Sequence, residues 1–300
     1  MPFLTRLAVL VAAAAFITPS FAADPDWSQV GAALGKSGSL QSGVYRVGLP
    51  RTDLKVALDG VALKPGFALG GWVAFKSMGN QAMVMGDVVL TQDEVNPVMK
   101  TLEENGIEIT ALHNHLLRAE PMTLYMHVFG HGDPVKLATA LHAGLAESKT
   151  PLVSGASSNA SQPQAAAQQI EFDAAAVDKA IGYKGKANGG VYQFAIPRAD
   201  PIKEDGMDVP DSMGSAIAIN FQPTGGGKAA ITGDFVLTAK EVNPVIKAMQ
   251  DSGIEITALH SHMLDEQPRI FFMHFWANDD ATKLAGGLKA ALGKMSLAKS

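Results

Sequence analysis

Short runs that alternate apolar and polar residues predict β-strands, and segments with helical spacing lie between them. Residues 122–129 and 270–276 are rich in β-branched and aromatic side chains and predict strands. Residues 134–145 and 281–292 repeat apolar side chains at helical spacing, which predicts that a helix follows each of these strands. This alternation predicts an α+β fold in which antiparallel sheets are covered by helices.

The chain contains one sequence unit twice. Displaced by 147 residues, segment 86–145 aligns without a gap on segment 233–292, with 31 of 60 residues identical. Between the copies, residues 148–170 are rich in Ser, Ala, Gln and Pro and lack an apolar period, which predicts a flexible linker. We therefore expect repeat domain 1 at residues 26–147 and repeat domain 2 at residues 171–295.

One helix in each repeat has a recognisable start. Thr91-x-x-Glu94 matches a capping box, in which the hydroxyl and the carboxylate satisfy backbone amides at the helix start. Pro97 lies too deep for the first turn of that helix. Either the helix kinks, or Asn96 is the cap and the proline takes the first helical position. The same residues recur 147 positions later.

Composition narrows the class of protein. Hydrophobic residues make up 47% and charged residues 18% of the chain, which is typical of folded domains rather than disordered chains. A net charge of -5 without a long run of either sign argues against nucleic-acid binding. Because the chain has no cysteine, disulfides and thiolate ligands are excluded, and any metal site must use nitrogen and oxygen donors.

The first 22 residues predict export. Arg6 precedes an apolar run at residues 7–17, and Ser20-Phe21-Ala22 fits a cleavage signal, so we expect a signal peptide at residues 1–22. The apolar run is shorter than the roughly 20 residues that span a bilayer, so we expect no membrane span in the mature protein. The location would be periplasmic or secreted. An uncut N-terminal anchor is the alternative.

Six of the eight histidines recur in the two repeats. In each repeat, two histidines separated by one residue end a predicted strand, and a third lies on the next strand. Alternation along a strand places the first two on one face, which we expect to continue the apolar face of Ile107 and Ile109. The candidate metal ligands are His113, His115 and His127 in repeat 1 and His260, His262 and His274 in repeat 2.

The pairing of the two strands decides whether the three imidazoles of a repeat meet. A hairpin register that pairs His113 or His115 with His127 puts all three rings on one side of the sheet. Opposed Cβ atoms are then about 4.5–5.5 Å apart, close enough for one metal about 2.0–2.1 Å from each nitrogen. A slip by one residue would turn His127 to the other face.

Three neutral imidazoles are a ligand set for a divalent metal, for which zinc is the default expectation. A structural cluster of hydrogen-bonded histidines, or metal-free histidines that act as acids, bases or ligand contacts, are the alternatives. Glu108 and Glu255 precede the histidines, but strand alternation predicts that they face the other way. The loop before the third histidine offers further carboxylates, which do not align between repeats: Glu120, Asp265 and Glu266.

Other recurring polar residues have structural explanations. Asp133 and Asp280 stand where helices are predicted to begin. Arg51 and Asp53 fit a surface ion pair of little energetic weight. The chain has no Gly-x-Ser-x-Gly, phosphate-loop or His-Glu-x-x-His motif, so common serine hydrolases, nucleotide enzymes and zinc proteases are unsupported.

Three segments of repeat 2 carry a family resemblance: Gly-Asp-Phe-Val-Leu-Thr at 233–238, Glu-Val-Asn-Pro-Val at 241–245 and Gly-Ile-Glu-Ile-Thr-Ala-Leu-His-Ser-His-Met-Leu at 253–264. Together with Pro268-Arg269 and Phe272-Met273-His274-Phe275-Trp276, they resemble the LppY/LpqO-type family of secreted bacterial proteins. That family often carries its domain in tandem and has no established activity. Repeat 1 departs from the pattern, with Met122 where repeat 2 has Arg269. If only one site works, we therefore expect it in repeat 2.

These patterns allow three functions for an exported, duplicated protein. A three-histidine site with an open position would lower the pKa of a bound water towards ~7 and permit hydrolysis. Alternatively, the two domains form a cleft for a cell-envelope ligand without catalysis, or the chain is a purely structural module. The repeats can pack as a pseudo-symmetric pair, which would place the two sites either together or apart.

Overall fold

The computed structural model describes residues 24–152 and 170–298. The predicted signal peptide at residues 1–22 and most of the predicted linker lie outside the described residues. Within these two ranges, none of the helices combines the length and the apolar character that crossing a bilayer requires.

Repeat 1 begins with a helix and ends with a helix, and most of its remaining elements are strands. The elements are α1 (Trp27–Leu34), β1 (Ser39–Gln41), β2 (Val44–Pro50), β3 (Ala57–Leu58), β4 (Val61–Ala62), α2 (Pro65–Ala68), β5 (Gly70–Met78), β6 (Gln81–Thr91), α3 (Gln92–Glu104), β7 (Glu108–His113), β8 (Thr123–Gly132) and α4 (Pro134–Ala146).

Repeat 2 has the same order of elements, with a 3-10 helix (Asp211–Met213) at the place of α2. Its elements are α5 (Ala174–Ile181), β9 (Lys186–Asn188), β10 (Val191–Ile196), β11 (Lys203–Glu204), β12 (Met207–Asp208), β13 (Ile217–Gly225), β14 (Lys228–Thr238), α6 (Ala239–Asp251), β15 (Glu255–His260), β16 (Ile270–Asp280) and α7 (Ala281–Leu292).

Each repeat folds into one six-stranded antiparallel sheet covered by helices. The strand order is β1-β2-β5-β6-β8-β7 in repeat 1, and the equivalent β9-β10-β13-β14-β16-β15 in repeat 2. In repeat 1, α1, α3 and α4 bury Leu34, Val98 and Leu141 against Val84 and Met126 of the sheet. The predicted α+β class is therefore confirmed. Met126 lies in this helix-side core, where its flexible side chain fills space between the sheet and the helices.

The capping boxes form as predicted. The backbone N–H of Thr91 donates to the Glu94 carboxylate, and the Thr91 side chain caps the helix in return. The alternative in which Asn96 caps the helix and Pro97 takes its first position is therefore wrong, because the helix begins at Gln92 and the proline lies inside it. Asp133 and Asp280 also cap helices, accepting from backbone N–H groups of α4 and α7.

Arg51 is fully buried, so its interpretation as half of a surface ion pair is wrong. Its guanidinium donates to the Glu94 carboxylate at 2.7 Å, to Asp53 at 2.8 Å and to the Val89 carbonyl at 2.8 Å. Of these hydrogen-bond partners of Arg51, the sequence indicated only the neighbouring Asp53. The fold adds Glu94 from α3 and thereby ties the start of that helix to the end of β2. Arg198 and Glu241 repeat the arrangement in repeat 2.

The two sheets face each other, with their helices on the outer sides. Ala74, Met85 and Phe129, from the helix-free face of the first sheet, pack into the core of repeat 2. Hydrogen bonds also cross the interface: the Asn220 side chain donates to the Phe67 carbonyl, and the Thr257 hydroxyl donates to the His115 carbonyl. The repeats therefore pack against each other as a pair.

Candidate metal centre

A β-bulge determines which way the histidines of repeat 1 point. The register pairs Ile109 with Val128, then skips one residue and pairs Ala111 with His127. Because opposed residues share a face, the bulge moves Ala111 and the histidines after it to the side opposite Ile109. Ile107 and Ile109 pack towards the helices, so the expectation that the histidines continue their apolar face is wrong.

The predicted register is also wrong, because Ala111 rather than His113 or His115 lies opposite His127, but the imidazoles of each repeat still share one face. His113 lies opposite Tyr125, two residues from His127, and the rings of His113 and His127 have centroids 5.1 Å apart. In repeat 2, the equivalent bulge separates Ile256 and Ala258, and the rings of His260 and His274 are 5.0 Å apart. All three rings of each repeat face the other sheet.

The six histidines meet in one cluster between the repeats, which we call the six-histidine cluster. Its rings pair across the interface, one from each repeat, with centroids 3.5 to 3.7 Å apart: His113 with His260, His127 with His262, and His115 with His274. When each histidine is exchanged for its equivalent in the other repeat, the pair His113 and His260 maps onto itself and the other two pairs exchange places. A pseudo-two-fold axis therefore passes through the pair His113 and His260. The predicted ligand sets of the two repeats therefore form a single site.

Two groups within the six-histidine cluster have nitrogens close enough together to share a metal ion. In each group, one nitrogen from every member lies within 4.8 Å of the others. The four-histidine group combines His113 with all three histidines of repeat 2, and the three-histidine group contains only repeat 1 residues. His113 belongs to both groups. His131 and His142 lie outside them, His142 donating to the Leu34 carbonyl at 2.9 Å.

Two carboxylates that the sequence analysis missed lie beside the six-histidine cluster. Asp87 faces His127, with 3.8 Å between the carboxylate and Nε2, and Asp234 lies 3.9 Å from His262 and 4.0 Å from His274. The pairings of Asp87 with His127 and of Asp234 with His274 across neighbouring strands place them there. A lone carboxylate within an apolar strand, present in both repeats, was the signal that could have revealed them.

Seven buried polar atoms of this site have no hydrogen-bond partner among the described residues. Such atoms are rare in folded proteins, because each loses its bonds to water without replacement. The atoms are Asp87 Oδ1, Asp234 Oδ1, His260 Nδ1 and the Nε2 atoms of His113, His115, His127 and His274. The histidines belong to the two groups whose atoms lie within 4.8 Å of one another and the carboxylates lie beside them, so the cluster offers the donor types of an N/O metal centre.

Two of the histidines are oriented as metal ligands usually are. His274 Nδ1 lies 2.8 Å from the Gly233 carbonyl, and His113 Nδ1 lies 3.2 Å from the Asn114 carbonyl. If Nδ1 carries the hydrogen in each bond, Nε2 has a free lone pair directed into the cluster. His260 and His262 direct their Nε2 atoms at each other, 2.9 Å apart.

Burial keeps the imidazoles neutral and favours protonation of the carboxylates. Loss of water lowers the pKa of His113 to about 4, of His274 to about 3 and of His260 to about 2. Burial raises the pKa of Asp87 to about 7 against an opposing effect of the Arg46 charge, and it also raises the pKa of Asp234. Neutral imidazole is the form that binds metal.

The acidic residues proposed from the sequence do not join this group. Glu255 pairs with Trp276, so the bulge puts it on the face of His274, and the expectation that it faces the other way is wrong. It contacts no histidine of the cluster. It accepts instead from Arg118 of repeat 1 at 2.8 Å, an exposed contact between the repeats. Glu108 also precedes the bulge and pairs with Phe129, on the cluster's face.

The loop carboxylates also lie apart from the candidate ligand groups. Glu120 and Asp265 are exposed, and neither belongs to the groups whose atoms could share a metal. Glu266 is buried, but it accepts from the Ile270 backbone and from Arg269. Its carboxylate therefore has a structural role in ordering this loop.

A cleft of about 840 Å³ between the repeats reaches the cluster. Asp87, His127, Asp234, His262 and His274 lie along its wall. The volume is in the range of small-molecule sites. A small molecule in the cleft could therefore contact the histidines.

Fold and site together define a tandem-repeat α+β protein whose two copies share one histidine cluster. The chain belongs to the family described as Domain of Unknown Function (DUF1259), whose model matches residues 28–147 and again residues 175–294. No curated protein matches the chain.

Three solved structures show a weak similarity to this chain, one of them a bacterial microcompartment shell protein. A trimeric shell protein PduB is 11% identical over 92% of each chain, with a TM-score of 0.18. EtuB from Clostridium kluyveri is 10% identical over 85% of this chain and 90% of its own, with a TM-score of 0.19. The ethanolamine utilization protein EutL from Leptotrichia buccalis is 8% identical over 80% and 93%, with a TM-score of 0.20. Similarities this weak carry no argument about function.

Proposed function

We propose that this protein binds a divalent transition-metal ion in the six-histidine cluster, using ligands from both repeats. The supporting observation is that seven buried nitrogen and oxygen atoms of the cluster and of the two neighbouring aspartates have no hydrogen-bond partner among the described residues. A bound cation would satisfy them, whereas a structural histidine cluster would be expected to satisfy them through hydrogen bonds. The four-histidine group of His113, His260, His262 and His274 is the primary site in this proposal.

Zinc remains the default ion for neutral imidazole ligands. Asp87 and Asp234 add oxygen donors next to the histidines, at 3.8 to 4.0 Å from their nitrogens. Mixed nitrogen and oxygen donors also suit manganese, iron, cobalt and nickel. The identity of the metal must therefore be measured rather than inferred from zinc's frequency in proteins.

Metal-dependent hydrolysis is the first candidate activity. When bound, a divalent ion would supply Lewis acidity and lower the pKa of a water molecule. The cleft brings a substrate within reach of His262 and His274, and Asp234 lies beside both to accept or hold a proton. Asp87 holds the same position on the opposite repeat.

The second candidate is a non-enzymatic protein that binds a small cell-envelope ligand in the same cleft. The volume of the cleft between the repeats supports this function independently of any reaction. This proposal includes export of the protein to the periplasm or its secretion, which residues 1–22 predict. It also includes the resemblance to the LppY/LpqO-type family.

Elemental analysis of the mature protein, residues 23–300 without a histidine tag, tests the metal proposal. We expect near-stoichiometric metal in the native protein and its loss in the double variant His260→Ala/His262→Ala. His131→Ala is the matched control, since this exposed histidine lies outside the cluster. Absence of metal after zinc, manganese, nickel and copper are offered would contradict the proposal.

A hydrolysis screen separates the two candidate functions. Nitrophenyl esters and nitrophenyl phosphates would be offered to the metal-loaded protein and to the double variant. Turnover that requires the histidines supports a hydrolase. Metal binding without turnover of either substrate class favours the ligand-binding function.

A further inference from the structure

Arg46 is a partly buried cation that forms no salt bridge within the described residues, and the nearby carboxylate of Asp87 acts on it only through its charge. In the described ranges, each of the other arginines pairs with a carboxylate: Arg51, Arg118, Arg198 and Arg269. Arg46 instead stacks on the ring of Trp72, 4.0 Å from its centroid, and donates one hydrogen bond to the Ser212 carbonyl. Burial lowers its pKa to about 10, so the guanidinium is still charged at neutral pH.

This cation lies in the same cleft as the six-histidine cluster. Cross-strand pairs connect Gly48 to Trp72, Trp72 to Asp87 and Asp87 to His127. Directly paired residues share a face of the sheet. Arg46 lies two positions from Gly48 on the same strand, so it shares this face as well. Since neighbouring strands are about 4.8 Å apart, the backbones at Trp72 and His127 are separated by roughly 10 Å. A small organic molecule spans that distance.

The pair of Arg46 and Trp72 is not a requirement of the fold. Repeat 2 forms the same sheet with Gln193 at the position of Arg46, and with Ala218 opposite Asp234 where Trp72 lies opposite Asp87. The cation and the aromatic ring therefore break the pseudo-symmetry of the cleft on one side. A cation that the sheet does not need, directed into a cleft and without a salt bridge among the described residues, is suited to bind an anion.

We infer that Arg46 and Trp72 form an anion-binding subsite of the cleft, and that the ligand is a small organic oxyanion. The guanidinium binds a carboxylate or a phosphate group, since its planar donors match both. The remainder of the ligand extends past Asp87 towards the six-histidine cluster. The extension of the ligand towards the cluster rests on the proposed metal function, whereas anion binding by Arg46 does not.

Calorimetric titration with benzoate, succinate and phenyl phosphate tests the subsite, and comparison of these probes separates carboxylate from phosphate ligands. Benzyl alcohol is the neutral match for benzoate. We expect saturable binding of at least one anion and weaker binding of benzyl alcohol. The variant Arg46→Gln, which copies the residue of repeat 2, should weaken anion binding about tenfold or more, because a charge-assisted hydrogen bond is lost.

Two further variants exclude less specific explanations. Lys186→Gln removes an exposed charge from the same cleft and should leave the affinity unchanged. Gly48→Val adds a side chain to the cleft without changing charge, and should also weaken binding. The position has room, since an added Cβ would meet nothing closer than a Pro50 atom at 4.0 Å, and repeat 2 has Ala195 there.

The titrations are performed on native and on chelator-treated protein, and the metal content of Arg46→Gln is measured separately. Anion binding that depends on Arg46 in a protein that never holds metal would refute the metal centre and retain the subsite. Equal anion affinity in Arg46→Gln and wild type would overturn the subsite whether or not metal is bound. Failure of all three anions to bind up to about 10 mM would overturn it as well.

Discussion

His113 of the first repeat stacks on His260 of the second, its equivalent, with ring centroids 3.5 Å apart. Within their own repeats, the nearest histidine rings have centroids 4.9 to 5.1 Å away, so the closest stacking forms only between the two copies. The pair lies on the pseudo-two-fold axis, and the other four imidazoles are arranged around it. A site of this kind needs both copies, although each copy supplies a complete set of three histidines.

His113 should matter more for metal content than the other histidines of repeat 1. It belongs to both candidate ligand groups, whereas His115 belongs only to the three-histidine group. We therefore expect His113→Ala to lose most of the bound metal and His115→Ala to lose less, as measured by elemental analysis of matched preparations. His131→Ala should retain the wild-type content. A greater loss in His115→Ala than in His113→Ala would contradict the assignment of the primary site.

Metal removal should destabilise the protein. An ion that binds only the folded state contributes about 2.7 kcal/mol when its concentration is 100 times its dissociation constant. Differential scanning calorimetry should show a lower Tm after chelation and recovery when metal is added back. The variant His260→Ala/His262→Ala should show little response to either treatment. An unchanged Tm of wild type after complete removal of the metal would argue against a bound ion in the folded protein.

The metal-free protein should lose stability as the pH falls below about 6.5, the usual pKa of histidine. Burial lowers the pKa of all six imidazoles, so the unfolded chain binds protons that the folded chain does not. Asp87 and Asp234 have the opposite sign, because their pKa values are raised and their protonation in the folded state favours folding as the pH falls.

Six imidazoles outnumber two carboxylates, so we expect a net loss of stability from pH 6.5 towards pH 4, where the pKa of His113 lies. Urea unfolding of chelator-treated protein across this range measures the slope. The double variant His260→Ala/His262→Ala should show a shallower slope. Stability that rises with acidification would mean that the carboxylates, not the imidazoles, dominate the proton balance.

Arg51→Ala should destabilise repeat 1 strongly. The substitution leaves the carboxylate of Glu94 buried without its cation, and breaking one partner of a buried pair costs about 3–5 kcal/mol. Lys100→Ala breaks an exposed pair with Glu104 and should change the free energy of unfolding by less than about 0.5 kcal/mol. Chemical denaturation of both variants makes the comparison. Similar effects would show that Arg51 is not held as the structure indicates.

Strand alternation was sufficient to predict much of the fold. It indicated the strands, the helices that follow them and the common face of the three imidazoles in each repeat. It did not reveal the bulge between Ile109 and Ala111, because one extra residue in a strand leaves no signature in the hydrophobic period. Consequently, the histidines were predicted on the same face as Ile107 and opposite Glu255, whereas they lie opposite Ile107 and on the same face as Glu255.

The shared nature of the centre also could not be read from the chain. It depends on how two sheet faces fit together, and that fit arises from long-range packing such as Phe129 against the core of repeat 2. Asp87 was missed for a related reason. Its importance follows from its position opposite His127 on the neighbouring strand, a pairing between segments far apart in the sequence.

X-ray diffraction of metal-loaded crystals at the absorption edge of the bound element tests the shared centre most directly. We expect an anomalous peak between the two sheets, with His113 of repeat 1 and His260, His262 and His274 of repeat 2 as ligands. A peak whose protein ligands all come from a single repeat, or a metal bound only away from the six-histidine cluster, would contradict it.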